Sequence, residues 1–174
     1  MSKEPRRIDV APAELGLPPE DRSRLAGAVV VGAVPGAPGH VVQEAAALAR
    51  TFGVPLLVVY VDVTRFIAGS EDAEKVLSYP IDIEVARGEL DAVAEETARH
   101  LDDVEVDWAV RQVVGDPASA LRKIAREADA RMIVVGTRKR GVSEALREMF
   151  YGSVARRLSH RQETPVLVVP PPGA

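Results

Sequence analysis

Four short stretches are apolar almost throughout: AVVVGA at 28–33, LLVVYV at 56–61, MIVV at 132–135 and VLVV at 166–169. A strand with one wet face alternates apolar and polar residues. A strand that is apolar without a break is buried on both faces, which happens in a parallel sheet covered by helices on either side. The intervals between the runs carry helical periodicity. Val42, Ala45, Ala49 and Phe52 share one helix face, with Gly53 as the stop. A longer helix over about 83–101 places Leu90, Val93, Thr97 and Leu101 on one side. Asp116 is positioned to cap a helix with Pro117 at its first position, and Leu121, Ile124, Ala125 and Ala128 give that helix its apolar face. A last helix begins near Gly152-Ser153. The stretch 104–110 alternates, with Val104, Val106, Trp108 and Val110 on one face, which predicts a strand at a sheet edge. Alternation of strands and helices predicts an α/β fold: an open five-stranded parallel sheet with helices on both faces.

The chain has 174 residues, the size of one domain. Residues 1–25, with Pro5, Pro12, Pro18 and Pro19, are expected to form a flexible arm with one short helical turn around 19–24. The domain is then 26–170, and 171–174 is a tail after Pro170. With 4% aromatic residues, the core has to be built from Val, Leu, Ile and Ala. The absence of cysteine excludes disulfides, thiolate nucleophiles and Cys-based zinc sites. No apolar run approaches the ~20 residues of a membrane span, and the N-terminus lacks the apolar segment of a signal peptide. The expected location is therefore cytoplasmic. A net charge of −4 argues against a general nucleic-acid or membrane binder. That charge is unevenly spread: residues 62–107 hold 14 acidic against 4 basic residues, whereas 132–174 hold 7 basic against 3 acidic. An anion is best received in the C-terminal third.

Ligands of open parallel sheets bind beyond the carboxyl ends of the strands, where strand order reverses. The candidate loops are 33–40, 61–70 and 136–153. The last reads GTRKRGVSEALREMFYGSV. Gly136 lets a backbone approach closely, Thr137 offers a hydroxyl, and Arg138, Lys139 and Arg140 offer charge. Gly152-Ser153 opens a helix, whose free N–H groups and dipole suit phosphate. From spacing alone, the commoner role of two such glycines is simply to turn the chain. His40, His100 and His160 fall on different elements without metal-ligand spacing, and Asp62 alone makes no acid/base pair, so no catalytic set is present. His100 is expected on a wet helix face, His40 in a surface or capping role.

The segment 115–169 resembles the C-terminal half of universal stress proteins, through GDPASALRKIAREADARMIVVGTR, then GSVARRLSH, then TPVLVVP. The segment 28–61 resembles that family's first strand, helix and second strand. The resemblance implies the adenine nucleotide alpha hydrolase-like arrangement, with strand order 3-2-1-4-5. It implies a homodimer paired through the last strand, Val166, Leu167, Val168 and Val169. It also implies a nucleotide site for ATP or AMP, with Mg accompanying ATP. Carried over to this chain, that site holds Ala33, Val34 and Val61 at the adenosine end. It holds Gly136, Thr137, Arg138, Lys139, Arg140, Gly141, Gly152, Ser153 and Val154 at the phosphate end. For some members the resemblance extends to slow ATP hydrolysis.

The chain departs from the family pattern in three places. The acid that follows strand one falls on Ala33, the second glycine of the phosphate motif falls on Lys139 (Gly141 replaces it only if the loop is redrawn), and the interval from Gly136 to Gly152 is longer. Two readings follow. One is a stress-response regulator with a degenerate ATP/AMP pocket, in which Lys139 and Arg140 hold phosphate directly. The other is a dimeric interaction protein without nucleotide, its pocket closed by the 138–151 insertion. The apolar stripe Ala145, Leu146, Met149 and Phe150 in that insertion fits a lid or plain core packing equally.

Overall fold

A computed structural model of the protein describes residues 17–62, 83–137, 154–160 and 163–172, and for 83–87 the backbone alone. The elements follow in chain order as α1 (Pro19–Arg24), β1 (Val29–Ala33), α2 (Gly39–Phe52), β2 (Leu56–Asp62), α3 (Ile83–His100), β3 (Trp108–Val114), α4 (Pro117–Glu127), β4 (Met132–Gly136) and β5 (Val166–Val169). Residues 154–158 are also helical. The five strands form one sheet in the order β3-β2-β1-β4-β5, and every neighbouring pair is parallel. This is the expected topology.

The unbroken apolar runs become strands because both of their faces are covered. Val30, Leu57, Val59, Ile133 and Val135 point to one face, where Leu121, Ile124 and Ala125 of α4 and Leu158 pack on them. Val29, Val31, Leu56, Val58 and Val134 point to the other, beneath Val42, Ala45 and Ala49 of α2 and Leu90 and Val93 of α3. Gly53 ends α2 in the left-handed conformation at φ 66, where its amide bonds back to Ala49 and Arg50. Asp116 caps α4 by accepting a bond from the Ser119 amide at 3.0 Å.

Three expectations need correction. The edge strand expected at 104–110 starts at Trp108 and runs to Val114. Val104 and Val106 still pack on the second apolar cluster, so the alternation marks contact with the core; the amide of Val104 bonds to Leu101 and turns the chain instead of extending a ladder. Residues 17–25, expected in the flexible arm, are packed. Leu17 and Leu25 are buried in the first cluster, and the Leu17 amide donates to the Glu127 carboxylate at 2.5 Å. Only the short helix at 19–24 was anticipated there. His100 is not on a wet face, since its ring lies directly against Gly39.

Candidate functional site

The two directions of strand order meet at β1, between β2 and β4. Pairing of β1 with β2 continues to Ala33↔Tyr60, and pairing of β4 with β5 continues to Gly136↔Val169. Between β1 and β4 the pairing ends earlier, at Val31↔Val134. The carboxyl ends of the two central strands therefore part where an open α/β sheet receives its ligand.

Ala33 closes β1 and is buried, while Val34 follows it half-buried. Val61 is buried near the end of β2 in the first cluster. Gly136 ends β4, and Thr137 follows with its amide bonded to the Val169 carbonyl at 3.1 Å and its hydroxyl donating to the same oxygen at 3.4 Å. Ala33, Val34, Val61, Gly136 and Thr137 thus all lie at the carboxyl ends of β1, β2 and β4. Val154 begins the helical residues 154–158 and packs on the first cluster. Arg138, Lys139, Arg140, Gly141, Gly152 and Ser153 lie outside the described residues, as does the apolar stripe of the insertion.

Gly136 has a packing role that the sequence did not reveal. A Cβ built there would stand 3.0 Å from Cγ2 of Val41 in α2. Asp62 is fully buried as the last residue of β2, where the Gln112 amide lies 3.5 Å from its Oδ2. The Tyr60 hydroxyl donates to the Glu89 carboxylate. His40 bonds the Pro170 carbonyl through Nε2 at 3.1 Å, joining the start of α2 to the chain that leaves β5.

Sequence reasoning missed the contact that α3 makes with the loop after β1. The Gly36 amide donates to both carboxylate oxygens of Glu96, at 3.0 and 2.9 Å. Gly36 adopts the left-handed conformation at φ 63, and the turn is closed by the Ala37 amide on the Val34 carbonyl at 3.0 Å. Helical periodicity puts Glu96 and His100 one turn apart on α3, but no pattern in the sequence says which loop they reach. Among the described residues no group of His, Asp or Glu is arranged to hold a metal ion, and no helix is long and apolar enough to cross a membrane.

Comparison with known proteins agrees with this fold. The stress response protein NhaX of Bacillus subtilis is 32% identical over 77 residues, which is 44% of this chain and 45% of that protein. The chain thus matches less than half the length of that relative. The crystal structure of a universal stress protein in complex with cAMP is 27% identical and superposes with a TM-score of 0.57 over 82% of this chain and 95% of the other. The universal stress protein of Archaeoglobus fulgidus in complex with dAMP shares the fold at 22% identity, with a TM-score of 0.55 over 83% of this chain and 98% of that one. The sequence model of the universal stress protein family matches residues 28–170, and the chain belongs to that family.

Proposed function

We propose that the protein is a cytoplasmic stress-response regulator that binds an adenine nucleotide, ATP or AMP, at the carboxyl ends of β1, β2 and β4. The observation that carries this reading is that the pairing of β1 with β4 ends at Val31↔Val134, ahead of Ala33 and Val34 on one side and of Gly136 and Thr137 on the other, at the point where strand order reverses. The adenosine end falls to Ala33, Val34 and Val61, and the phosphates fall to Gly136 and Thr137 with Arg138, Lys139, Arg140, Gly141, Gly152, Ser153 and Val154. Related proteins with dAMP or cAMP bound support the same ligand class. Among the described residues no group of three or more His, Asp or Glu is arranged to hold a metal ion, so magnesium would arrive with the phosphates of ATP and be held chiefly by them.

We further propose a homodimer paired through β5. Val166, Leu167 and Val168 remain partly exposed on this edge strand, and an apolar edge left open invites pairing with another chain.

A dimeric interaction protein without nucleotide is the second reading. It is favoured by Glu96, which already occupies the Gly36 amide, and by Ala33, which offers a ligand no acceptor from its side chain. Calorimetric titration with ATP, ADP and AMP, with and without magnesium, separates the two. The first reading predicts saturable binding that weakens in a folded Gly152→Asp variant. Absence of binding up to millimolar nucleotide selects the second.

A further inference from the structure

We propose that Glu96 is an internal competitor for the nucleotide site, an autoinhibitory contact through which ligand binding would move α3. The inference rests on the nucleotide reading above and adds a residue that neither the family pattern nor the strand ends point to.

Residues 34–38 lead from β1 into α2, at the strand ends where ligands of this sheet type bind. Backbone N–H groups at such a turn, ahead of a helix N-terminus, favour an anion. Here the chain supplies its own. The carboxylate of Glu96 takes the Gly36 amide with both oxygens, at 3.0 and 2.9 Å. Among the described residues no lysine or arginine forms an ion pair with Glu96, so none of them neutralises its charge. A ligand oxygen that claims the Gly36 amide has to displace this carboxylate, whose charge also opposes any anionic ligand brought to these strand ends.

The contact has a second point of attachment. One turn along α3, the His100 ring lies against Gly39, the first residue of α2, so closely that a side chain at 39 would collide with it. Glu96 and His100 hold the loop and the start of α2 as a pair. Displacing the carboxylate therefore loosens a helix face and not just one rotamer. A ligand shifts an equilibrium between two arrangements only as far as it binds one of them better, and here the favoured arrangement is the one in which Glu96 has let go. Nucleotide occupancy would be reported at the surface of α3.

The test is calorimetric titration of ATP and of adenosine into the full chain, its Glu96→Gln and Glu96→Ala variants, and a Glu95→Gln control at the exposed neighbouring position, each checked by thermal unfolding. The expected result is about tenfold tighter ATP binding in both Glu96 variants, a gain for adenosine as well, and no change in the control. Equal or weaker ATP binding in the folded Glu96 variants, with measurable binding to the unaltered chain, overturns the inference and leaves the nucleotide reading standing. Absence of binding in every protein removes both.

Discussion

Arg157 and Asp116 form a two-pronged ion pair, Nη1 to Oδ2 at 2.6 Å and Nη2 to Oδ1 at 2.9 Å, that ties the helical residues 154–158 to the turn ahead of α4. The same carboxylate caps α4 through the Ser119 amide. The helix that follows Gly152-Ser153 is thereby fixed to the sheet from outside the core, and its position relative to the end of β4 depends on an exposed pair as well as on the burial of Leu158.

This pair has a pH signature. Burial pushes the Asp116 carboxyl up, but the hydrogen bonds from Arg157 and Ser119 and the Arg157 charge outweigh it and hold the group below its ordinary value. The stability it contributes is complete above the unfolded aspartate value of about 3.9 and is lost as pH falls through the lower folded value. Arg157 is half exposed, so the ion pair is worth only about 0.5–1 kcal/mol. Asp116→Asn keeps a capping side chain and removes the charge. Urea unfolding at pH 7 is expected to show that small loss, and the difference from the unaltered protein is expected to shrink below about pH 4. A pH-independent difference would mean that the charge is not the source of the stabilisation.

Gly136 separates a packing role from a ligand role. Gly136→Ala is expected to cost about 1–3 kcal/mol by crowding Val41, and Val41→Ala in the same chain is expected to restore part of that loss. If the double variant is no more stable than Gly136→Ala alone, the crowding is not at Val41.

Leu17 tests how far the packed structure extends towards the N-terminus. It is 2% exposed, sits in the cluster that contains Ile124 and Leu158, and lies outside the family match at 28–170. Leu17→Ala is expected to destabilise by about 2–5 kcal/mol, as would a chain starting at Ala26. Unfolding midpoints that match the full chain would place residues 17–25 outside the cooperative unit.

The dimer is tested at β5. Val168→Lys introduces a charge on an edge strand, a common natural device against edge pairing. Sedimentation equilibrium is expected to show a dimer for the unaltered chain and a monomer for the variant. A variant that stays dimeric, or a parent that is monomeric, removes β5 as the pairing surface.

The sheet was legible because β1, β2, β4 and β5 are apolar at successive positions, which few other structures require. The start of β3 was not, because Val104 and Val106 continue the parity of Trp108 and Val110 while belonging to a loop that touches the core. Period-two patterning records which side chains are covered, not which backbone pairs. The cap at Asp116 and the stop at Gly53 were legible because they are local. Arg111, fully buried between Ala109 and Val113 on one face of β3, carried no local signal. The contacts of Glu96 with Gly36, His100 with Gly39 and Arg157 with Asp116 span 60, 61 and 41 positions, and chemistry at that separation is set by packing. The strand ends proposed as the site could be foreseen from topology alone, whereas the contact of Glu96 with the loop after β1 could not.

Binding of an adenine nucleotide where β1 and β4 part can be followed by amide chemical-shift mapping of the 15N-labelled protein during ATP titration. Nucleotide at this position is expected to give saturable shifts concentrated at Ala33, Val34, Gly36, Val61, Gly136 and Thr137, with Glu96 following. Saturable shifts confined to the opposite ends of the strands, around Val29, Leu56 and Met132, or no shifts at millimolar ATP, would contradict it.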